Sequence, residues 1–263
     1  ARSIDDQPDG INALNLKWVL GFNKDLICGV HNLSSEERRE IFYSAAHTGV
    51  IYNYETREQK LLQGHCNKIT ATAVSADKKW IVTADTGIDS MLVVWESYSG
   101  TPFKTIFNPH QEGVCAVDIS PDSSFIVTLS SKIPQSIILW DWSKEESDRE
   151  SLILARYEIP PGSQDLQTCV RFNPYNPHEI ASNGKIRVIF WSWNEESDMF
   201  DFYSPAFKKK YGPFTQTVFI PNSTQAVTGT QEGDIVVWDI SLIQDTFAQP
   251  DERRAIKIVN LNK

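Results

Sequence analysis

One strand ending returns along this chain at a nearly constant interval, and it limits the fold more than any other feature. In MLVVWESYSG, residues 91–100, an apolar run enters Trp95, an acid follows, and Tyr98-Ser99-Gly100 breaks the run. The same shape closes SIILWDW at Trp142, RVIFWSW at Trp193 and DIVVWDI at Ile240, and GVIYNYE repeats it with Tyr52 in the tryptophan place. From Tyr52 through Trp95, Trp140, Trp191 and Trp238 the intervals are 43, 45, 51 and 47 residues.

A second register runs in phase with the first. His65 and His110 each stand 30 residues before a tryptophan, and Ser75 and Ser120 each stand 20 before it. Two further polar turns, NPYNPHE and IPNSTQ, open about 18 residues before Trp191 and Trp238. Between turn and tryptophan lies WIVTA, FIVTL, EIASN or QAVTG. Self-similarity at a period of roughly 40–45 residues with a Trp-acid ending marks the four-stranded blade of a β-propeller. Runs such as LVVW and IVVW are apolar on both strand faces, so both faces need a cover, which stacked radial sheets supply. Gly, Pro, Asn, Asp and Ser fill the gaps, as short hairpins require.

The chain therefore reads as all-β, with about five four-stranded blades over 25–245, at roughly 25–60, 61–105, 106–155, 156–205 and 206–245. The lead-in, 1–24, contains NALNLKWVLGF, which reads as a single strand that completes a blade or closes a ring. RRAIKIVNLNK, within 246–263, reads as the start of a further blade or a linker. The best helical candidate is a short turn at SLIQD, 241–245. An open arc of blades leaves bare strand edges, so these five are expected to belong to a larger propeller or a tandem propeller.

Composition narrows the class. With 41% hydrophobic residues the chain can build a core, and its net charge of -9 disfavours nucleic acid and anionic membrane as partners. No apolar run approaches the roughly 20 residues of a membrane span, and ARSIDDQPDG lacks the pattern of a signal peptide. Cys28, Cys66, Cys115 and Cys169 have no metal or redox spacing and read as reduced, cytosolic and mostly buried. The sequons at Asn32 and Asn222 carry no meaning without secretion.

Catalytic chemistry finds no foothold in the sequence. His65 and His110 are accounted for by the blade register, which leaves His31, His47 and His178 scattered. No Gly-x-Ser-x-Gly elbow occurs, and SNGKIRV lacks both the first glycine and the Ser/Thr of a phosphate loop. The reading is a non-enzyme with no cofactor and no metal. Two other strings stand out: WSKEESD (142–148) and WNEESD (193–198) follow consecutive Trp-x-Trp endings, each between a blade's third and fourth strands. Glu145, Glu146, Glu195 and Glu196 would then share one face and form a candidate partner-docking patch, with two solvated loops as the plain alternative. Lys208-Lys209-Lys210 falls between the fourth and fifth blades, as a solvated turn or a contact for acidic protein.

The repeats resemble the WD-repeat family over nearly the whole chain. That resemblance implies a buried hydrogen-bonded tetrad of His, Ser or Thr, Asp and Trp, carried in the second blade by His65, Thr83, Asp89 and Trp95. The third blade keeps His110, Thr128 and Trp140 but has Pro134 in the Asp place. The fourth keeps Ser182 and Trp191 with Lys185 there, and the fifth keeps Thr228 and Trp238 with Glu232. These degenerate blades are expected to rely mainly on packing.

The wording of AAHTGVIYNYETREQKLLQGH, WIVTADTGIDSMLVVWESYSGTPFKTIF and VTGTQEGDIVVWDI is more specific, and resembles the cilia- and flagella-associated protein 251 family. The resemblance implies a scaffold at the base of the radial spoke in motile cilia. Its partners would be radial spoke proteins, the calmodulin- and spoke-associated complex and the doublet microtubule. A second resemblance, to the echinoderm-type microtubule-associated family, rests on LNLKWVLGF and the LQGH-like blade and implies cytoplasmic microtubules. A substrate receptor for a ubiquitin ligase is the third reading, favoured only by the general use of propellers.

Overall fold

The structure, a computed structural model, describes residues 16–145, 148–160, 165–206, 212–240 and 252–261. Among the described residues the strand-forming runs pair as antiparallel meanders into five four-stranded sheets. The first sheet holds β1 (Val30–Asn32), β2 (Glu40–Ala45), β3 (Thr48–Asn53) and β4 (Glu58–Leu62). The second holds β5 (Ile69–Val74), β6 (Trp80–Asp85), β7 (Met91–Glu96) and β8 (Pro102–Phe107). The third holds β9 (Val114–Ile119), β10 (Phe125–Ser130), β11 (Ser136–Asp141) and β12 (Ile153–Glu158). The fourth holds β13 (Cys169–Asn173), β14 (Asn176–Asn183), β15 (Val188–Asn194) and β16 (Met199–Tyr203). The fifth holds β17 (Phe214–Phe219), β18 (Ala226–Thr230), β19 (Asp234–Ile240) and β20 (Arg253–Asn260).

Chain order equals spatial order in every sheet, so the connections alternate between two ends. First-to-second and third-to-fourth connections share one end. Second-to-third turns and the links to the next sheet share the other. The first strands gather at a common axis, where β5 lies beside β9, β9 beside β13 and β13 beside β17.

Four apolar clusters fill the four seams between neighbouring sheets. Each blade tryptophan is buried against the sheet before it: Trp95 with Leu33, Phe42 and Ile51, Trp140 with Val82 and Leu92, Trp191 with Val127 and Leu139, Trp238 with Phe190. Large aromatic rings bury the most area per residue, so these four carry much of the seam energy. Tyr52, the counterpart in the first sheet, is met edge-on by Trp18 with ring centroids 6.2 Å apart.

Outside the tryptophans the seams differ. In the second-to-third seam Trp142 packs on Trp80 at 5.0 Å and Phe103 at 5.7 Å; in the next, Trp193 packs on Phe125 at 5.1 Å. The second Trp of each Trp-x-Trp ending thus seats on an aromatic of the previous blade. The flanking seams use arginine. Arg38 donates to the Ser97 hydroxyl (2.9 Å) and carbonyl (2.8 Å) and covers Tyr98. Arg253 pairs with Glu179 at 2.8 Å and lies over Phe190 and Phe219.

Three sequence expectations need correction. Residues 253–260 do not begin another blade: β20 pairs along the whole of β19 and is the fourth strand of the fifth sheet. Residues 16–22 form no strand; Val19 instead exchanges two hydrogen bonds with the Gln59 side chain, at 2.8 and 3.0 Å. The cysteines are not mostly buried, because Cys28 and Cys66 lie exposed on connections, Cys115 is half-buried and Cys169 is enclosed. The helical candidate at 241–245 lies outside the described residues.

Candidate docking faces and the buried relays

In the second blade His65 Nε2 lies 2.7 Å from Thr83 Oγ1, which also accepts the Trp95 indole N–H at 2.8 Å. The carboxylate is Asp85, not Asp89. Asp85 Oδ2 sits 2.8 Å from His65 Nδ1, and its Oδ1 accepts the Met91 backbone N–H at 2.7 Å. Asp89 is exposed at the turn tip with φ +56, a left-handed conformation that Asp tolerates better than most residues. Strand alternation explains the choice, since residues two apart on β6 share a face, and Asp85 follows Thr83 by two.

The other blades replace the relay instead of abandoning it. His110 bridges Thr128 Oγ1 (2.8 Å) and Ser136 Oγ (3.0 Å), and Trp140 donates to Thr128 at 2.8 Å. In the fourth blade Trp191 donates to Ser182, and Ser182 donates to Gln167 Oε1 at 2.9 Å. In the fifth Trp238 donates to Thr228, which is bonded to Thr217 at 2.8 Å. Pro134, Lys185 and Glu232, counted into the Asp place, are exposed turn residues. Ser130, two residues after Thr128, accepts the Ser136 N–H at 2.8 Å as Asp85 accepts that of Met91.

Polar contacts also stitch the seams near the axis. His31 Nε2 meets Thr72 Oγ1 at 3.0 Å, Thr70 donates to the Val114 carbonyl, and Asp118 takes the Phe172 N–H at 2.8 Å and Arg171 at 3.4 Å. Gln216 on β17 reaches Cys28, just before β1, at 3.0 Å. A cavity of about 320 Å³ remains, lined in part by Ile27, Thr72, Cys115, Cys169 and Arg171. Burial pushes the Cys115 thiol up to about 12 and Cys169 up to about 11, so neither is a thiolate at neutral pH. Burial, aided by Arg171 and by Arg156 and Arg149 respectively, holds His31 down to about 4 and His110 down to about 3, so both rings are neutral. Among the described residues no cluster of three or more His, Cys, Asp or Glu is disposed to hold a metal ion.

The acidic strings fall on exposed connections at one end of neighbouring sheets. Glu145 lies between β11 and β12, and Glu195 and Glu196 lie between β15 and β16. Glu195 is 4.0 Å from His178 Nε2, whose ring stacks on Trp193 at 5.3 Å. Glu146 and Lys208–Lys210 lie outside the described residues.

A family model described as the CFAP251 N-terminal domain matches residues 14–263. Cilia- and flagella-associated protein 251 of Tetrahymena thermophila is 53% identical over 256 residues, covering 95% of this chain and 25% of that protein. Echinoderm microtubule-associated protein-like 4 of Mus musculus is 26% identical, covering 88% of this chain and 23% of that protein. The chain thus spans about a quarter of the length of these relatives. The solved β-propeller domain of Cps50 (Swd1) from Myceliophteria thermophila superposes with a TM-score of 0.59 at 14% identity, covering 84% of this chain and 68% of that one, which supports the propeller fold alone. The chain therefore belongs to the cilia- and flagella-associated protein 251 family, and residues 14–263 match its N-terminal domain.

Proposed function

We propose that the chain is a non-catalytic scaffold of the axoneme in motile cilia and flagella, serving at the radial spoke base in spoke assembly and motility. Family membership supports the ciliary setting. The observation that carries the scaffold reading is the pair of acidic connections on one end of adjacent blades. Microtubule surfaces are acidic, so Glu145, Glu195 and Glu196, with Glu146 beside them in sequence, repel the doublet and suit a basic subunit of the spoke base or of the calmodulin- and spoke-associated complex.

The test is expression of the four-site Glu→Lys variant in a ciliated cell lacking the native protein. Reduced incorporation and fewer radial spokes, with unchanged melting, are expected. Normal spokes would sink the acidic-patch reading. Recovery of the wild-type protein on cytoplasmic microtubules instead of axonemes would favour the reading drawn from the echinoderm-type relatives, and recovery with ligase subunits would favour the third.

A further inference from the structure

Toward the glutamate connections, two of the seams are closed by paired rings and the seam between the fourth and fifth blades is not. The residue after each blade tryptophan pairs with one residue near the start of the second strand: Glu96 with Trp80, Asp141 with Phe125, and Ser192 with Glu179. On Trp80 and Phe125 the following blade seats its second tryptophan, Trp142 or Trp193. Between the fourth and fifth blades the same two places hold Glu179 and Ile240, which stands two residues after Trp238. A carboxylate and an aliphatic chain do not fill what two rings fill.

A cavity of about 710 Å³ opens there, walled by Glu179, Phe190, Asp201, Tyr203, Ile240 and Glu252. Arg253 also lines it and is itself buried. Its guanidinium pairs with Glu179 at 2.8 Å and lies over Phe190, and its backbone N–H donates to the Tyr203 hydroxyl at 2.8 Å.

Charge in the cavity points to the occupant. Glu179 and Arg253 cancel. The Asp201 and Glu252 carboxylates have no hydrogen-bond or ion-pair partner among the described residues, and they stand on the two sides of the seam, on β16 and just before β20. His178, also in the wall, lies 4.0 Å from Glu195, so the acidic connection adjoins the mouth. Arg254, the next cation on β20, lies opposite Asp239 in register, and strand alternation turns it to the other face. Unpaired carboxylates beside an apolar and aromatic wall suit a long basic side chain, whose charge meets Asp201 and Glu252 while its methylene stem lies on Tyr203 and Ile240. A tryptophan, which fills the corresponding place in the two earlier seams, would leave those carboxylates desolvated and unpaired.

We infer that the cavity between the fourth and fifth blades is an anchor pocket for a lysine or arginine side chain of a basic protein segment, with Asp201 and Glu252 holding its charge. The inference rests on the reading that the glutamate end faces a basic subunit, and it fixes where on that end the subunit is gripped. Ser192 and Asp201 lie two residues inside the Asn194–Met199 pair that ends β15 and begins β16, a distance of about 7 Å at the rise of an extended strand. A segment crossing Glu195 and Glu196 therefore reaches the pocket.

The test uses the full-length protein in a ciliated cell that lacks its own copy, with a photo-crosslinking residue in place of Met199, which is exposed and shares the face of Asp201. The expected product is a crosslink to a Lys- or Arg-rich segment of another axonemal protein. Made as a peptide, that segment should bind the purified full-length protein, and Asp201→Lys with Glu252→Lys should weaken binding at least tenfold without lowering the melting temperature. Asp201→Asn with Glu252→Gln should weaken it several-fold at low salt and less at high salt. Ile240→Trp, which puts a ring where the two earlier seams have one, should weaken it at least tenfold while the melting temperature holds or rises. A crosslink to an acidic segment, to lipid, to a second copy or to residues 241–251 of the same chain would overturn the inference, as would no crosslink in assembled axonemes. So would a lowered melting temperature in the Asp201 and Glu252 variants, or unchanged peptide affinity in a well-folded Ile240→Trp protein. The four-site Glu→Lys variant of the preceding section leaves the cavity open, so the two readings fail separately. Weakened binding in that variant with none in Ile240→Trp would sink the pocket and keep the acidic patch, and the reverse would keep the pocket and sink the patch.

Discussion

The second and fourth blades support the same buried tryptophan by different means. In the second, Thr83 beneath Trp95 is backed by His65 and Asp85, whose side chains are fully enclosed. In the fourth, Ser182 beneath Trp191 is backed by the neutral Gln167, and a carboxylate, Asp165, has moved to the turn to take three backbone N–H groups. What stays constant is a hydroxyl that accepts the indole N–H and is itself bonded from behind. The ionisable pair is one way to supply that, and the amide is another with less at stake when it is cut.

The largest expected effect follows from that difference. Asp85→Ala strands two donors, the His65 Nδ1–H and the Met91 backbone N–H, and should cost about 2–5 kcal/mol in chemical denaturation, at about 1–3 kcal/mol for each group left unpaired. Gln167→Ala should cost less, about 1–3 kcal/mol, because it strands only the neutral Ser182 hydroxyl. Equal losses for the two variants would break the comparison.

The third blade sharpens it through pH. Burial holds His110 near 3, below its unfolded value of about 6.5, so the folded protein binds fewer protons in that window. The stability contributed is full above about pH 6.5 and is lost as pH falls toward 3. At pH 5.5 the loss should be on the order of 1 kcal/mol, and His110→Gln should flatten that part of a melting-temperature profile. The smallest effect belongs to Asp89→Asn, which keeps a residue suited to φ +56 and should change stability by no more than about 0.5 kcal/mol, since Asp89 sits exposed at a turn tip.

Much of the scaffold was legible because it is written in a short code. Strands apolar on both faces, ended by Trp95, Trp140, Trp191 and Trp238, can only be covered by neighbours, and strand order then fixes the end on which Glu145 and Glu195 fall. Counting back from a tryptophan worked for His65 and Thr83, which are tied to strand lengths. It failed for the carboxylate because six residues back from Trp95 stops at Asp89 in the turn, four short of Asp85 at the end of the strand, and it offered no candidate at Gln167. Two-residue alternation from Thr83 marks Asp85 directly. The strand Arg253–Asn260 was misread because the connection from Ile240 is long, which made a fourth strand look like the next unit's first. Arg38 and Arg253 left no pattern, since each appears once and acts across a seam.

A row of repeats held only by its neighbours comes apart from whichever end is weaker, since each unit's stability is its own term plus those of adjacent interfaces. The bond from Gln216 to Cys28 changes that arithmetic by tying the last sheet to the segment that leads into the first, 188 positions away. Opening either terminal unit must release part of the other. Amide hydrogen exchange at β1 and β17 should therefore rise together when Gln216→Ala removes the link, as two ends of one cooperative unit become two independent frays.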